Sequence, residues 1–214
     1  YTKKGTGSPI LLIHDTLPGA SGYEWSKIED ELAIDHTVYT VDLLGCGRSD
    51  KSSITYTNFV YVQMISDFIK KIIGQKTDVI ASGFSGSFVT MACHNEKELF
   101  NKIMLVNPPS LTQLKQMPNR KDRLLKAALE YHMIVSRDNI NNLFIEKMYY
   151  NPFHVDNQMA DAYYEAAHKG GYYTRFLYSS LAAKYININI CHALKALDNS
   201  IYIVEGETEP NGKA

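Results

Sequence analysis

Cysteine is scarce in this chain: Cys46, Cys93 and Cys191 are all it has, far apart and odd in number. That argues against a disulfide framework and against a CxxC metal site, and it fits a reducing, cytoplasmic setting. An excess of charge of one sign is also missing. Lys plus Arg number 22 against 23 for Asp plus Glu, a net charge of −1, whereas a domain that grips phosphates carries a basic surplus; nucleic acid is not an expected partner. Apolar runs such as Ile103–Val106 are short, far below the roughly 20 residues that span a bilayer. Histidines 14, 36, 94, 132, 154, 168 and 192 contain no HxxH or HxxxH pair, so no metal or cofactor is expected.

What is present is a chain of 214 residues, 45% hydrophobic and 21% charged, the composition of a folded globular protein with room for one large domain. Ile10–Ile13, Thr37–Val41, Asp78–Ala81 and Ile103–Val106 are short apolar runs that predict buried strands. Amphipathic stretches separate them. Trp25, Ile28 and Leu32 predict a helix over 23–32; Val60, Met64, Phe68 and Ile72 predict the buried face of one over 59–73; another runs over 87–94. Buried strands alternating with helices predict an α/β fold, a mostly parallel sheet flanked by helices. From about Ser110 to Asp198 only helical segments are expected, over 120–135, 138–150, 155–168 and 173–185, and strand character returns at Ser200–Val204. The division that follows is a core over 1–109, a helical cap over 110–198 inserted into it, and a return strand over 199–214.

One segment carries a chemical signal. A strand enters Gly83-Phe84-Ser85-Gly86-Ser87 and a helix leaves it, the setting of a strained turn that presents a nucleophilic hydroxyl. Gly83 and Ser87 flank Ser85 with the small side chains that a close strand–helix crossing requires. A plain Ser/Gly turn, or one that binds phosphate, is the alternative.

With these residues in hand, the chain resembles the α/β-hydrolase superfamily in its cap-bearing branch of esterases, haloalkane dehalogenase-like enzymes and C–C bond hydrolases. Ile10-Leu-Leu-Ile-His14-Asp15 is similar to the strand ending in His-Gly that begins the oxyanion loop, and Trp25 opens the first helix. Asp42-Leu-Leu-Gly45-Cys-Gly47-Arg48-Ser49 is close to that family's Asp-x-x-Gly-x-Gly-x-Ser loop, and Lys102–Pro109 resembles the strand before the cap.

The resemblance implies a serine hydrolase acting through an acyl-enzyme on a small, largely apolar ester or related carbonyl compound. Ser85 would be the nucleophile, and the amides of Gly86 and of the loop after His14, at Thr16, would form the oxyanion hole. Asp15 stands in that hole where the family has Gly, and His14 is expected only to brace the loop. Strand-Gly-x-x-acid is matched by Ile201–Glu209, making Glu209 the acid, with Glu207 and Glu205 as alternates. No histidine follows Glu209, although the order Ser, acid, His is required. The expectation is therefore a fragment whose base lies further along, inactive by itself. Two other readings stay open: a non-catalytic relative that binds a small hydrophobic ligand or a protein partner, and a lyase or dehalogenase, the latter using Asp where this chain has Ser85. The nine tyrosines 131, 149, 150, 163, 164, 172, 173, 178 and 185 either pack the cap or line an apolar pocket beneath it.

Overall fold

Each predicted strand is present in the structure, a computed structural model that describes residues 1–108, 120–149, 151–155 and 157–207. Strands β1 (Thr2–Lys4), β2 (Ser8–Ile13), β3 (His36–Val41), β4 (Thr77–Ser82), β5 (Phe100–Val106) and β6 (Ser200–Val204) form one sheet in the order β1-β3-β2-β4-β5-β6. All neighbours pair in parallel except β1, which runs antiparallel along β3. Sequence reading missed β1, because Thr-Lys-Lys has no apolar pattern; such residues suit an exposed sheet edge.

Side chains of β2 alternate across the sheet. Leu11 and Ile13 face a main core shared with Val79, Ala81, Phe88 and Val89, whereas Ile10 and Leu12 face Trp25 and Val38 on the other side. Helices α2 (Asn58–Phe68) and α3 (Ser85–Asn95) pack on the first face. The expected helix over 23–32 is instead a 3₁₀ turn, Gly22–Trp25, and a single helical turn, α1 (Glu29–Leu32). Trp25 is buried and Leu32 packs partly buried against the same cluster, but Ile28 between them is exposed, so the three apolar positions form no common buried stripe.

The buried face of α2 is also rotated from expectation. Tyr61, Ile65 and Ile69 are buried, while Ile72 is exposed. The cause is aromatic anchoring: the Tyr61 ring stacks on Phe88 at 4.9 Å and its hydroxyl donates to the Leu44 carbonyl at 3.0 Å. A π turn, Ile69–Ile73, closes the helix against Gly74 at φ +75°.

Between the neighbouring strands β5 and β6 the chain makes a helical excursion: α4 (Arg120–Ile134), α5 (Arg137–Leu143), α6 (Asn157–His168), α7 (Thr174–Ala182) and the unanticipated α8 (Cys191–Ala196). Tyr131, Val135, Ile140, Phe144, Ala160 and Tyr163 give this segment a core of its own, which also takes in Ala20 from the loop after β2. Leu177 and Ile186 join the main core instead. Tyr131 and Tyr178 border a cavity of only about 20 Å³, so for these two rings packing is what the structure displays. Tyr150 lies outside the described residues.

Candidate active site

The strand order fixes where a ligand can sit. From β2 the chain adds β3 on one side and later β4 on the other, so the carboxyl ends of β2 and β4 flank a topological switch point, the crevice where open α/β sheets bind ligands. His14 and Asp15 leave β2 there, and Gly83 leaves β4 beside them.

His14 is fully buried and bridges two loops. Its Nδ1 is 2.5 Å from the Asp15 carbonyl oxygen and its Nε2 accepts the Leu43 N–H at 3.0 Å. Those partners fix a neutral ring with the proton on Nδ1, and burial holds its pKa below the ordinary histidine value. The loop it braces is closed by Asp42, whose carboxylate accepts the N–H groups of Gly22 at 2.6 Å and Arg48 at 2.8 Å. Gly47, at φ +44°, lies so close to that carboxylate that a Cβ would overlap it.

The bend between β4 and α3 has its apex at Gly83, not at Ser85. Gly83 has φ +51°, in the left-handed region, while Phe84 already has helical angles and Ser85 begins α3. The expectation that Ser85 is thrust out of the bend is therefore corrected. Ser85 is fully buried, two residues past the apex, and its hydroxyl donates to the His14 carbonyl at 2.6 Å. The Gly86 amide is likewise not free for an oxyanion, because it donates to the Gly83 carbonyl at 3.2 Å in the first turn of the helix. A signal for this register was in the sequence: Ala81 and Ser85 flank Gly83 at the same two-residue spacing that Gly83 and Ser87 provide for Ser85.

Two amides do converge at the crevice. Thr16 N–H at 2.6 Å and Phe84 N–H at 2.9 Å both donate to Oδ1 of Asp15. The expected donor pair was Thr16 and Gly86; the amides that converge are those of Thr16 and Phe84, and the Asp15 side chain fills the space between them. A Cβ built on Gly83 would overlap the whole Asp15 carboxyl group. Burial pushes the Asp15 pKa up against the lowering effect of the two amides.

Glu24 was not foreseen from the sequence. It comes from the 3₁₀ turn, and its Oε2 accepts the Asp15 N–H at 3.0 Å. Burial raises its pKa to about 7, reinforced by the Asp15 charge and opposed by Ser82 and the Asp15 amide. The Ser82 hydroxyl faces Glu24 outside hydrogen-bond geometry and is left buried without a partner. Of the acids expected after β6, Glu205 and Glu207 are exposed, and Glu209 lies outside the described residues. Among the described residues no cluster of three or more His, Cys, Asp or Glu side chains is placed to hold a metal ion, and no helix is long and apolar enough to cross a membrane.

The fold has counterparts among known proteins. The sequence model of the alpha/beta hydrolase fold family matches residues 9–144. A 2-hydroxy-6-oxo-6-(2'-aminophenyl)hexa-2,4-dienoic acid hydrolase of Metapseudomonas resinovorans is 29% identical over 113 residues, 52% of this chain and 39% of that protein. A soluble epoxide hydrolase of a Corynebacterium species is 24% identical over 107 residues, 50% of this chain and 37% of its own length. The chain thus aligns with well under half the length of these relatives. Among solved structures, the meta-cleavage product hydrolase CumD of Pseudomonas fluorescens IP01 superposes with a TM-score of 0.76 at 20% identity, covering 98% of this chain and 76% of CumD. The relatives with named activities are hydrolases, and the solved structure shares the fold.

Proposed function

Because the chain belongs to the alpha/beta hydrolase fold family, we propose that the whole protein is a hydrolase of that type, working in the crevice above the β4–α3 bend. The α4–α7 helices act as its cap, and a small, largely apolar substrate binds between cap and sheet. The N–H groups of Thr16 and Phe84 are the oxyanion donors. One observation carries this reading: both amides converge on a single oxygen, Oδ1 of Asp15, which stands where charge developing on a substrate carbonyl oxygen would be stabilised. The general base follows the β6 strand in the full-length protein, and Glu209, with Glu207 and Glu205 as alternates, supplies the acid of that half of the site.

One relative is named for a dienoic acid and another for epoxides, so the test panel joins para-nitrophenyl esters with para-nitrophenyl glycidyl ether. Phe84 has φ −60°, which proline accepts while losing its N–H. Full-length protein should turn over a panel member, and Phe84→Pro should lower that rate about 10²-fold with the circular dichroism unchanged. Absence of turnover across the panel, or a rate indifferent to Phe84→Pro, overturns the proposal.

A second reading, a non-catalytic relative that binds a hydrophobic ligand or a partner, is favoured by Gly83: the apex has no side chain. A fluorophosphonate probe addresses the serine version directly. Labelling that disappears in Ser85→Ala would make Ser85 the nucleophile, and no labelling together with no turnover leaves the binding role.

A further inference from the structure

We infer that the outer face of α4 is a docking surface for a bilayer that carries anionic lipids. The helix lies in the plane of the interface, its apolar ridge at the acyl boundary and its basic residues among the headgroups. The inference stands apart from the hydrolase reading and does not depend on it.

The ridge follows from the rotation of α4. Ala127 and Tyr131 are buried, and the Tyr131 hydroxyl donates to the Ala167 carbonyl at 2.7 Å, which turns that face inward. The opposite face of such a helix is ordinarily polar. Here it carries Leu125, Leu129 and Met133, spaced four residues apart in one row and 62%, 71% and 63% exposed. Among the described residues no other helix bares three large apolar side chains in a row. Single exposed apolar residues are ordinary, whereas a contiguous row marks a surface that binds something.

What surrounds the row decides between occupants. Lys121 extends it by one turn at the N-terminal end, and Lys126 stands on one flank with Arg123 a turn before it, all three exposed. On the other flank His132 lies 3.2 Å from the Arg175 guanidinium, which covers the Tyr172 ring at 3.9 Å; Tyr173 meets Tyr172 edge-on at 6.0 Å. Those contacts set two exposed tyrosines and a further cation beside the last turn of α4. Two carboxylates share the face: Asp122, in the first turn where the helix dipole favours it, and Glu130, 3.8 Å from Lys126. Four cations thus face two carboxylates, although the whole chain has a net charge of −1.

A protein partner fits this pattern poorly, because lysine is depleted at protein interfaces, and a second copy of the same face would set cations against cations. An anionic bilayer takes every part of it. Long Lys and Arg stems cover apolar surface while their heads reach the headgroups, tyrosine suits a boundary between apolar and wet layers, and a basic amphipathic helix lies in that plane. The ridge from Leu125 to Met133 is only about 12 Å long at the helical rise, so insertion is shallow and attachment reversible.

The test measures partitioning of full-length protein onto sedimented vesicles of phosphatidylcholine with and without phosphatidylserine. Binding should require phosphatidylserine and fall as added salt shortens the screening length. Lys121→Gln combined with Lys126→Gln should lower the partition coefficient about 10-fold or more, and Leu125→Ser combined with Leu129→Ser by about 10-fold or more. Ile34→Ser, at an apolar residue outside this face that is 73% exposed, should leave it unchanged. Leu129→Trp keeps the proposal testable should a serine variant fail to fold: its added fluorescence should shift to the blue on the vesicles and be quenched by brominated acyl chains. No binding to the anionic vesicles, binding indifferent to the leucine pair, or a reporter at position 129 that ignores the bilayer would each overturn the proposal. So would a dimer by light scattering that becomes a monomer in Leu129→Ser, which would give the face to a second copy. None of these outcomes bears on turnover of a soluble substrate, so the hydrolase reading stands or falls separately.

Discussion

A methyl group added at residue 83 would do two kinds of damage. It would force a Cβ into a φ of +51° and drive it onto the Asp15 carboxyl group. Gly83→Ala is expected to cost about 2 kcal/mol or more in urea unfolding, the left-handed penalty plus overlap. In an Asp15→Gly background the overlap vanishes, so the two substitutions should be clearly non-additive. Glu24 gives a second expectation at this scale. Its pKa rises from 4.5 to about 7 on folding, so the folded state holds a proton that the unfolded chain releases between those values. Stability therefore falls as pH rises through that window, by about 3 kcal/mol in all, and is level above it. Asp15, also raised by burial, adds a decline of the same sign, whereas His14, held below its ordinary value of 6.5, contributes a rise with pH that is complete above that value; Asp42 and Glu29, also held below their ordinary values, matter only in more acidic solution. Glu24→Gln should remove the Glu24 decline and leave the slope between pH 5 and 8 less negative, read as the urea midpoint. The pieces of this site were only partly legible in the sequence. His14, Asp15 and Thr16 were singled out because Ile10–Asp15 resembles the strand and loop that begin the family's oxyanion hole. The apex was misplaced by two residues because short small-residue patterns repeat around it, and only the positive φ distinguishes Gly83. Glu24 left no signal, since nothing local to a turn tells that its carboxylate will reach the end of another strand.

Elements were more legible than residues where burial is complete on both faces. Leu11, Leu12 and Ile13 are fully buried, and such a run cannot be anything but interior strand or helix; its length decides for strand. Half-buried helices are harder, because propensity and spacing admit more than one rotation. In α2 the apolar residues are so numerous that two faces fit helical spacing, and the choice is made by what Tyr61 meets: the Phe88 ring and the Leu44 carbonyl. Tyr61→Ala should therefore cost about 3–5 kcal/mol, as for a large buried aromatic. Val60→Ala, on the face that spacing alone would have buried, should cost far less. Equal costs in thermal or urea unfolding would mean that the helix sits with its other face inward. The 3₁₀ turn at Gly22–Trp25 makes the same point by opposite means: one buried indole and the hydrogen bonds of Gly22 to Asp42 and of Glu24 to the Asp15 N–H hold the segment without any helical stripe.

At the scale of the whole molecule, two cores share a chain that leaves the sheet at β5 and returns at β6. The helical core is built around Phe144, fully buried and edge-on to Tyr163 at 4.8 Å, whereas the sheet core is built around Leu11, Val79 and Phe88. They are stitched together from both sides: Ala20 and Leu17 from the β2 loop enter the helical core, Leu177 and Ile186 enter the sheet core with Phe176 and Leu181 packed against it, and the Tyr56 N–H donates to the Ser180 hydroxyl at 2.9 Å and the Asn58 side-chain amide to the Asn187 carbonyl at 3.0 Å. A contact between backbones adds to this, for Gly19 lies so close to the Tyr163 carbonyl that a Cβ would overlap it. If the helices form a cap with its own cooperativity, as the division at residues 110 and 198 supposes, Phe144→Ala should act locally. Its cost, about 3–5 kcal/mol, would appear as faster amide hydrogen exchange across α4, α5 and α6, while the amides of β2 and β4 keep their protection. Leu11→Ala should instead speed exchange everywhere, because the helices have no platform once the sheet opens. Uniform acceleration in Phe144→Ala would make the molecule one cooperative unit. The opening of the crevice would then require global unfolding, and substrate entry by movement of the helices would be ruled out along with the cap.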